Sequence, residues 1–105
     1  MNVAYLRGKT AIVTGASSGI GRSTSIALAR AGTNLILVSR NISKLKIVEQ
    51  EAQPFDVKTL AISGDISNRI DVKNIVSQAM EKSAGIDILI CNAGVYFRHS
   101  VIDQT

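Results

Sequence analysis

The chain has 105 residues, 46% of them apolar and 19% charged, with a single proline, the composition of one globular domain or a piece of one rather than a disordered tail. Twelve Lys and Arg against eight Asp and Glu leave a net charge of +4, and their scatter along the chain excludes the one-faced basic patch that a nucleic-acid surface needs. The longest aliphatic run, Leu35 to Val38, is far short of the roughly 20 residues that cross a bilayer, the N-terminus has no secretory h-region, and one Cys with one His make neither an internal disulfide nor a metal cluster, so a cytoplasmic protein without membrane or nucleic-acid partners is expected.

Short aliphatic runs alternate with longer segments of helical period, the pattern of βαβ units around a parallel sheet. Thr10 to Thr14 reads as the first strand. It leads into a glycine-rich stretch, Gly15 to Gly21, and Ile20 to Ala31 reads as a helix that Gly32 ends. Leu35 to Ser39 is the second strand, apolar throughout, as expected where helices cover both faces of a sheet. Asn41 is placed to cap the next helix, with Ile42, Leu45, Val48 and Ala52 on one stripe and Pro54 as its stop. Val57 to Ser63 reads as the third strand, followed by Gly64-Asp65-Ile66. Ser67 is the expected N-cap of a third helix with Val72, Ile75, Val76 and Ala79 inward and Gly85 beyond its end. Ile86 to Cys91 is the fourth strand. Asn92 to Thr105 has no clear period.

The glycine stretch carries the chemistry. A helix N-terminus presents backbone N–H groups without intrahelical acceptors, which is the least elaborate anion site a protein can build, and small residues bare those groups. In this reading Gly15 permits the tight turn out of the strand, Gly19 clears the approach of a pyrophosphate, and Gly21 lets the helix pack closely. A P-loop is excluded: Gly15 lies one residue too far upstream of Gly21-Arg22-Ser23, and Arg22 stands where the phosphate-reaching Lys belongs.

With a strand before it and a helix behind, Thr14-Gly15-Ala16-Ser17-Ser18-Gly19-Ile20-Gly21 resembles the TGxxxGIG signature of the short-chain dehydrogenase/reductase family. Asn92-Ala93-Gly94, at the end of the fourth strand, resembles that family's NNAG motif, with Cys91 in place of its first Asn. The resemblance covers essentially the whole chain. It implies a Rossmann-like α/β fold with four parallel strands in the order 3-2-1-4, in which residues 1–105 form the N-terminal part of a single dinucleotide-binding domain, incomplete at its C-terminus. The cofactor contacts it implies are Gly15, Ser17, Ser18, Gly19, Ile20, Gly21, Ser39, Arg40, Asp65, Ile66, Asn92, Ala93 and Gly94.

The end of the second strand speaks to cofactor choice. An acidic residue about 20 positions beyond the glycines accepts the ribose 2'-OH of NAD, whereas an arginine there accommodates the 2'-phosphate of NADP. Ser39 and Arg40 occupy this region, so NADP(H) is expected and NAD(H) is the less favoured cofactor. By the resemblance, Asp65 and Ile66 would hold the adenine ring; an Asx-type turn leading into the third helix is the alternative role for Asp65.

Family members act on small carbonyl or alcohol substrates, like the 3-oxoacyl carrier-protein reductases and alcohol dehydrogenases, through a downstream Ser and a Tyr-x-x-x-Lys. No catalytic residue is expected in this chain. Its only Tyr-x-x-x-Lys, Tyr5 to Lys9, precedes the first strand and contains Gly8, so the two side chains are not expected to meet on a helix face. Tyr96 has Ser100 four residues on. His99 reads as a loop side chain and Cys91 as an inert core thiol. The full protein is thus expected to be an NADP(H)-dependent oxidoreductase, with a non-catalytic nucleotide-binding or interaction module as the alternative. The fourth strand is expected to form an apolar edge that makes the chain prone to associate.

Overall fold

The computed structural model describes residues 5–83 and 85–92. The elements in order are β1 (Thr10–Thr14), α1 (Gly19–Arg30), β2 (Asn34–Ser39), α2 (Ile42–Ala52), a 3-10 turn (Gln53–Phe55), β3 (Thr59–Ser63), α3 (Arg69–Lys82) and β4 (Ile88–Cys91). The strands form one parallel sheet in the order β3-β2-β1-β4, as expected.

Period-2 alternation divides the strands between two cores. Val13, Leu35 and Leu37 face α1 and α2, where Ala29, Leu45, Val48 and Ala52 close over them. Ile12, Ile36, Val38 and Ile62 point the other way, onto Ile75 and Ala79 of α3. The unbroken apolar run of β2 is therefore the signature of a strand covered on both faces. Leu35, Ile36, Leu37 and Val38 are each 2% exposed or less, and burial on that scale stabilises by about 1.5–3 kcal/mol per large side chain.

The helix ends follow local chemistry. Gly32, at φ +89, donates its N–H to Ala29 O, while Thr33 N–H reaches Leu28 O, the paired bonds of a Schellman ending. Asn41 caps α2 through its side-chain oxygen, which accepts from Lys44 N–H at 3.1 Å. Pro54 does not mark the last turn of α2 directly: the helix ends at Ala52 and the chain tightens into the 3-10 turn, with Pro54 in its first positions and Asp56 beyond it at φ 57. Strand β3 starts two residues later than expected and β4 likewise. Ahead of β4, the Asp87 carboxylate accepts from Thr10 N–H, and Asp87 N–H donates to Thr10 O.

Two expectations about α3 are corrected. Its N-cap is Asn68, whose side chain accepts from Ile70 and Asp71 N–H; Ser67 is instead drawn into a turn with Asp65. Val76 is 47% exposed rather than inward, leaving Ile75 and Ala79 as the buried pair. Ile75 and Ala79, four residues apart, share the buried face, and Val76 lies at its solvent edge.

Cys91 is half-buried and unpaired with any other cysteine, so it is less enclosed than a core thiol. Tyr5 and Lys9 share no helix face, as expected, yet the two side chains meet in a cation–π contact with the ammonium 5.5 Å from the ring centroid. Among the described strands β4 pairs only with β1, and its Leu89 is 44% exposed. No helix among the described residues is long and apolar enough to cross a membrane.

Candidate functional site

Parallel register brings the C-terminal ends of the strands to one edge of the sheet. Thr14 lies level with Val38 and with Cys91, and Ser39 with Ser63. The segments that follow, Gly15 to Ser18, Arg40-Asn41, Gly64 to Ser67 and Asn92, therefore share one rim. The strand order reverses between β1 and β4, which is where doubly wound sheets open a crevice.

The glycine stretch is an exposed turn that opens α1. Gly15 and Gly19 adopt φ +63 and +56, a region that L side chains enter only at a cost. A Cβ on Gly19 would meet nothing within 4 Å, so the space above the loop is open. Gly21 is different. A Cβ there would stand 1.9 Å from the Gly15 carbonyl oxygen, so its contact is with the preceding turn rather than with the sheet at large. The loop is tied down by Ala16 N–H donating to Val38 O at 3.2 Å. Ser18 occupies the N-cap position of α1 with no side-chain capping bond, and no acidic residue stands in the first turn. The first-turn amides of α1 thus keep the unmet hydrogen-bonding capacity of a helix start, in a form suited to an anion.

Beside the loop, over the ends of β1, β2 and β3, lies an open cleft of about 610 Å³. It is lined by six of the residues expected from sequence, Gly15, Ser17, Ser39, Arg40, Asp65 and Ile66. Ser18, Gly19 and Ile20 continue the loop as exposed residues into α1, while Gly21 is buried beneath it. Asn92 lies on the other side of β1. Its N–H donates to the Thr14 hydroxyl, which in turn donates to Ile90 O, so Asn92 joins β4 to β1. Its Nδ2 is buried without a hydrogen-bond partner among the described residues. Ala93 and Gly94 lie outside the described residues.

The cleft walls are held by polar contacts. Ser39 Oγ accepts from Asn41 N–H at 3.1 Å, Gly64 N–H donates to Ser39 O, and Ser63 Oγ donates to Arg40 O. Asp65 accepts from both the amide and the hydroxyl of Ser67, at 2.9 and 2.7 Å, and its own N–H donates to an Asp71 carboxylate oxygen. The Asx turn weighed for Asp65 is therefore formed. Those two Ser67 bonds hold the Asp65 carboxyl below its ordinary range, with the Arg40 charge adding to the effect. Asp65 is ionised at neutral pH, and one of its oxygens carries both Ser67 bonds.

Sequence reasoning missed Asn41 and Lys44 as lining residues. Asn41 was placed only as a helix cap. A signal for Lys44 was present: a cation in the first turn of a helix opposes the helix dipole.

The family model for short chain dehydrogenase matches residues 9–105. Among curated proteins, the chain is similar to glucose 1-dehydrogenase of Gluconobacter oxydans, 39% identical over 88 residues that make up 83% of this chain and 33% of that protein. It is also similar to the NADP-dependent 3-hydroxy acid dehydrogenase of Schizosaccharomyces pombe, 37% identical over 86% of this chain and 36% of the relative. Among solved structures, a short-chain type dehydrogenase/reductase from Mycobacterium marinum superposes with a TM-score of 0.82 at 36% identity, covering 90% of this chain and 40% of that one. L-sorbose reductase from Gluconobacter frateurii, complexed with NADPH and L-sorbose, superposes at 0.80 with 32% identity over 85% of this chain and 34% of that one. The chain spans about a third of the length of most of these relatives. Signature loop, strand order and family match agree, and the chain belongs to the short-chain dehydrogenase family.

Proposed function

We propose that the chain is the NADP(H)-binding portion of an oxidoreductase that moves a hydride between NADP(H) and a small carbonyl or alcohol substrate. The observation that carries this reading is the placement of an open, uncapped helix start, Ser17 to Gly21, beside a cleft whose far wall bears Arg40 and no carboxylate at Ser39.

The pyrophosphate would lie against the amides of the loop, where Gly19 leaves open space. The adenosine would enter the cleft, with Ile66 against the ring and the free Asp65 oxygen accepting from the adenine amino group. Arg40 would meet the ribose 2'-phosphate and Ser39 the neighbouring hydroxyl. Asn92, with Ala93 and Gly94, would border the cofactor beyond β1. When bound, the cofactor supplies the hydride; these residues bind and orient it. The Ser and Tyr-x-x-x-Lys of the family have no counterpart here, since Tyr5 and Lys9 lie outside the cleft, so the 105-residue chain is expected to bind cofactor without turning it over. The Schizosaccharomyces pombe relative, NADP-dependent by name, and the sorbose reductase complexed with NADPH support the cofactor choice.

Calorimetric titration with NADPH and NADH tests it. Arg40→Ala should weaken NADPH binding by about 10- to 100-fold, the worth of one charge-assisted hydrogen bond, and leave NADH binding unchanged. Equal losses for both cofactors would remove Arg40 from this role.

A further inference from the structure

The first turn of α2 carries a charge that works against the helix. Asn41 is its N-cap, and the bond from Lys44 N–H to the Asn41 side chain makes Lys44 the third helical residue. That is the position where Glu or Gln closes a capping box, and where the helix dipole favours negative side chains. Lys44 stands there instead, and no acidic residue shares the turn.

Its location supplies the reason. Lys44 lines the same cleft as Ser39, Arg40 and Asn41. Two other cations pair within the protein, Arg22 with Glu51 and Lys46 with Glu49. Among the described residues, neither Arg40 nor Lys44 forms an ion pair of that kind. Asp65, the one carboxylate among the described residues that line the cleft, is engaged by Ser67.

We propose that Lys44 is a second cationic contact for a phosphate monoester on the adenosine ribose, acting with Arg40 to select the 2'-phosphorylated cofactor. The inference rests on the nucleotide reading above and extends it to a residue outside the glycine loop and the strand end. A phosphate monoester carries close to two negative charges at neutral pH, so one guanidinium leaves it under-compensated. Lys44 and the α2 amides around it complete the balance, and the anion removes the conflict between Lys44 and its own helix.

Adenosine 2',5'-bisphosphate and 5'-ADP serve as probes, titrated calorimetrically into the chain and its variants. The wild type should prefer the bisphosphate. Lys44→Gln should lose about tenfold for the bisphosphate and nothing for 5'-ADP, with Lys44→Arg restoring the difference. Lys44→Glu should raise the unfolding midpoint of the ligand-free chain, by closing the capping box, while abolishing the preference; this separates binding from folding. If Lys44→Gln keeps the full preference while Arg40→Ala loses it, Lys44 has no such role and the nucleotide reading stands. Equal losses for both probes would mark Lys44 as merely structural and overturn the proposal. A wild type that binds both probes equally, or neither, removes the NADP reading and the Lys44 contact together.

Discussion

The carbonyl oxygen of Gly15 stands 1.9 Å from the point a Cβ of residue 21 would occupy. Two glycines six residues apart are thus locked in contact, and the start of α1 closes onto the turn that feeds it. Gly21→Ala forces backbone against side chain with no flexible neighbour to yield. It should destabilise by about 3 kcal/mol or more, the upper end of overpacking effects, read as a lower urea midpoint. Gly19→Ala meets no atom within 4 Å but must hold φ +56, so its loss should be smaller, about 1 kcal/mol. Equal losses at the two positions would contradict this account of the loop.

The cap of α3 offers a second comparison between neighbours. Asn68→Ala removes two side-chain bonds to the first turn and should cost about 1 kcal/mol. Ser67→Ala leaves that cap intact and should cost less. Chemical unfolding followed by circular dichroism distinguishes them, and a larger loss at Ser67 would restore it as the cap.

Acid sensitivity follows from two carboxylates. Hydrogen bonds from Ser67 hold Asp65 below its ordinary range, and the Arg22 guanidinium, 2.9 Å away through Nε, does the same for Glu51. A carboxyl whose folded value is depressed stabilises the fold above its unfolded value, and that contribution is lost as pH falls through the folded one. Stability should therefore be flat from neutral pH down to about 5 and decline below about 4. Glu51→Gln and Ser67→Ala should each make the acid limb shallower in urea midpoints taken across this range. An unchanged limb in both variants would show that these bonds do not persist in solution.

Much of this was legible from the residues because local and global signals agree. The run Leu35 to Val38 announced a strand covered on both faces, and the two cores on either side of β2 bear it out. Asn41 and Gly32 marked helix ends by their own chemistry. Where two polar residues competed, the reading failed: Ser67 and Asn68 are both good caps, and Asp65 decided between them by engaging Ser67 at close range. Val76 was misplaced because an apolar residue beside a buried stripe looks the same in one dimension whichever side of the stripe it takes. Lys44 was overlooked although its charge opposes the α2 dipole, because its place in the cleft lining beside Arg40 is visible only in the fold. The strand order came from the resemblance and the general rule for doubly wound sheets, since nothing in the spacing sends β4 to the far side of β1.

An anion held by the backbone where α1 begins is what cofactor binding by this chain requires. Amide chemical shifts of the 15N-labelled chain, followed during titration with NADPH, test this directly. The Ser17, Ser18, Gly19 and Ile20 resonances should move earliest and saturably, with Arg40 and Lys44 following the same isotherm. Binding that leaves those four amides unmoved, or no saturable binding at all, would contradict it.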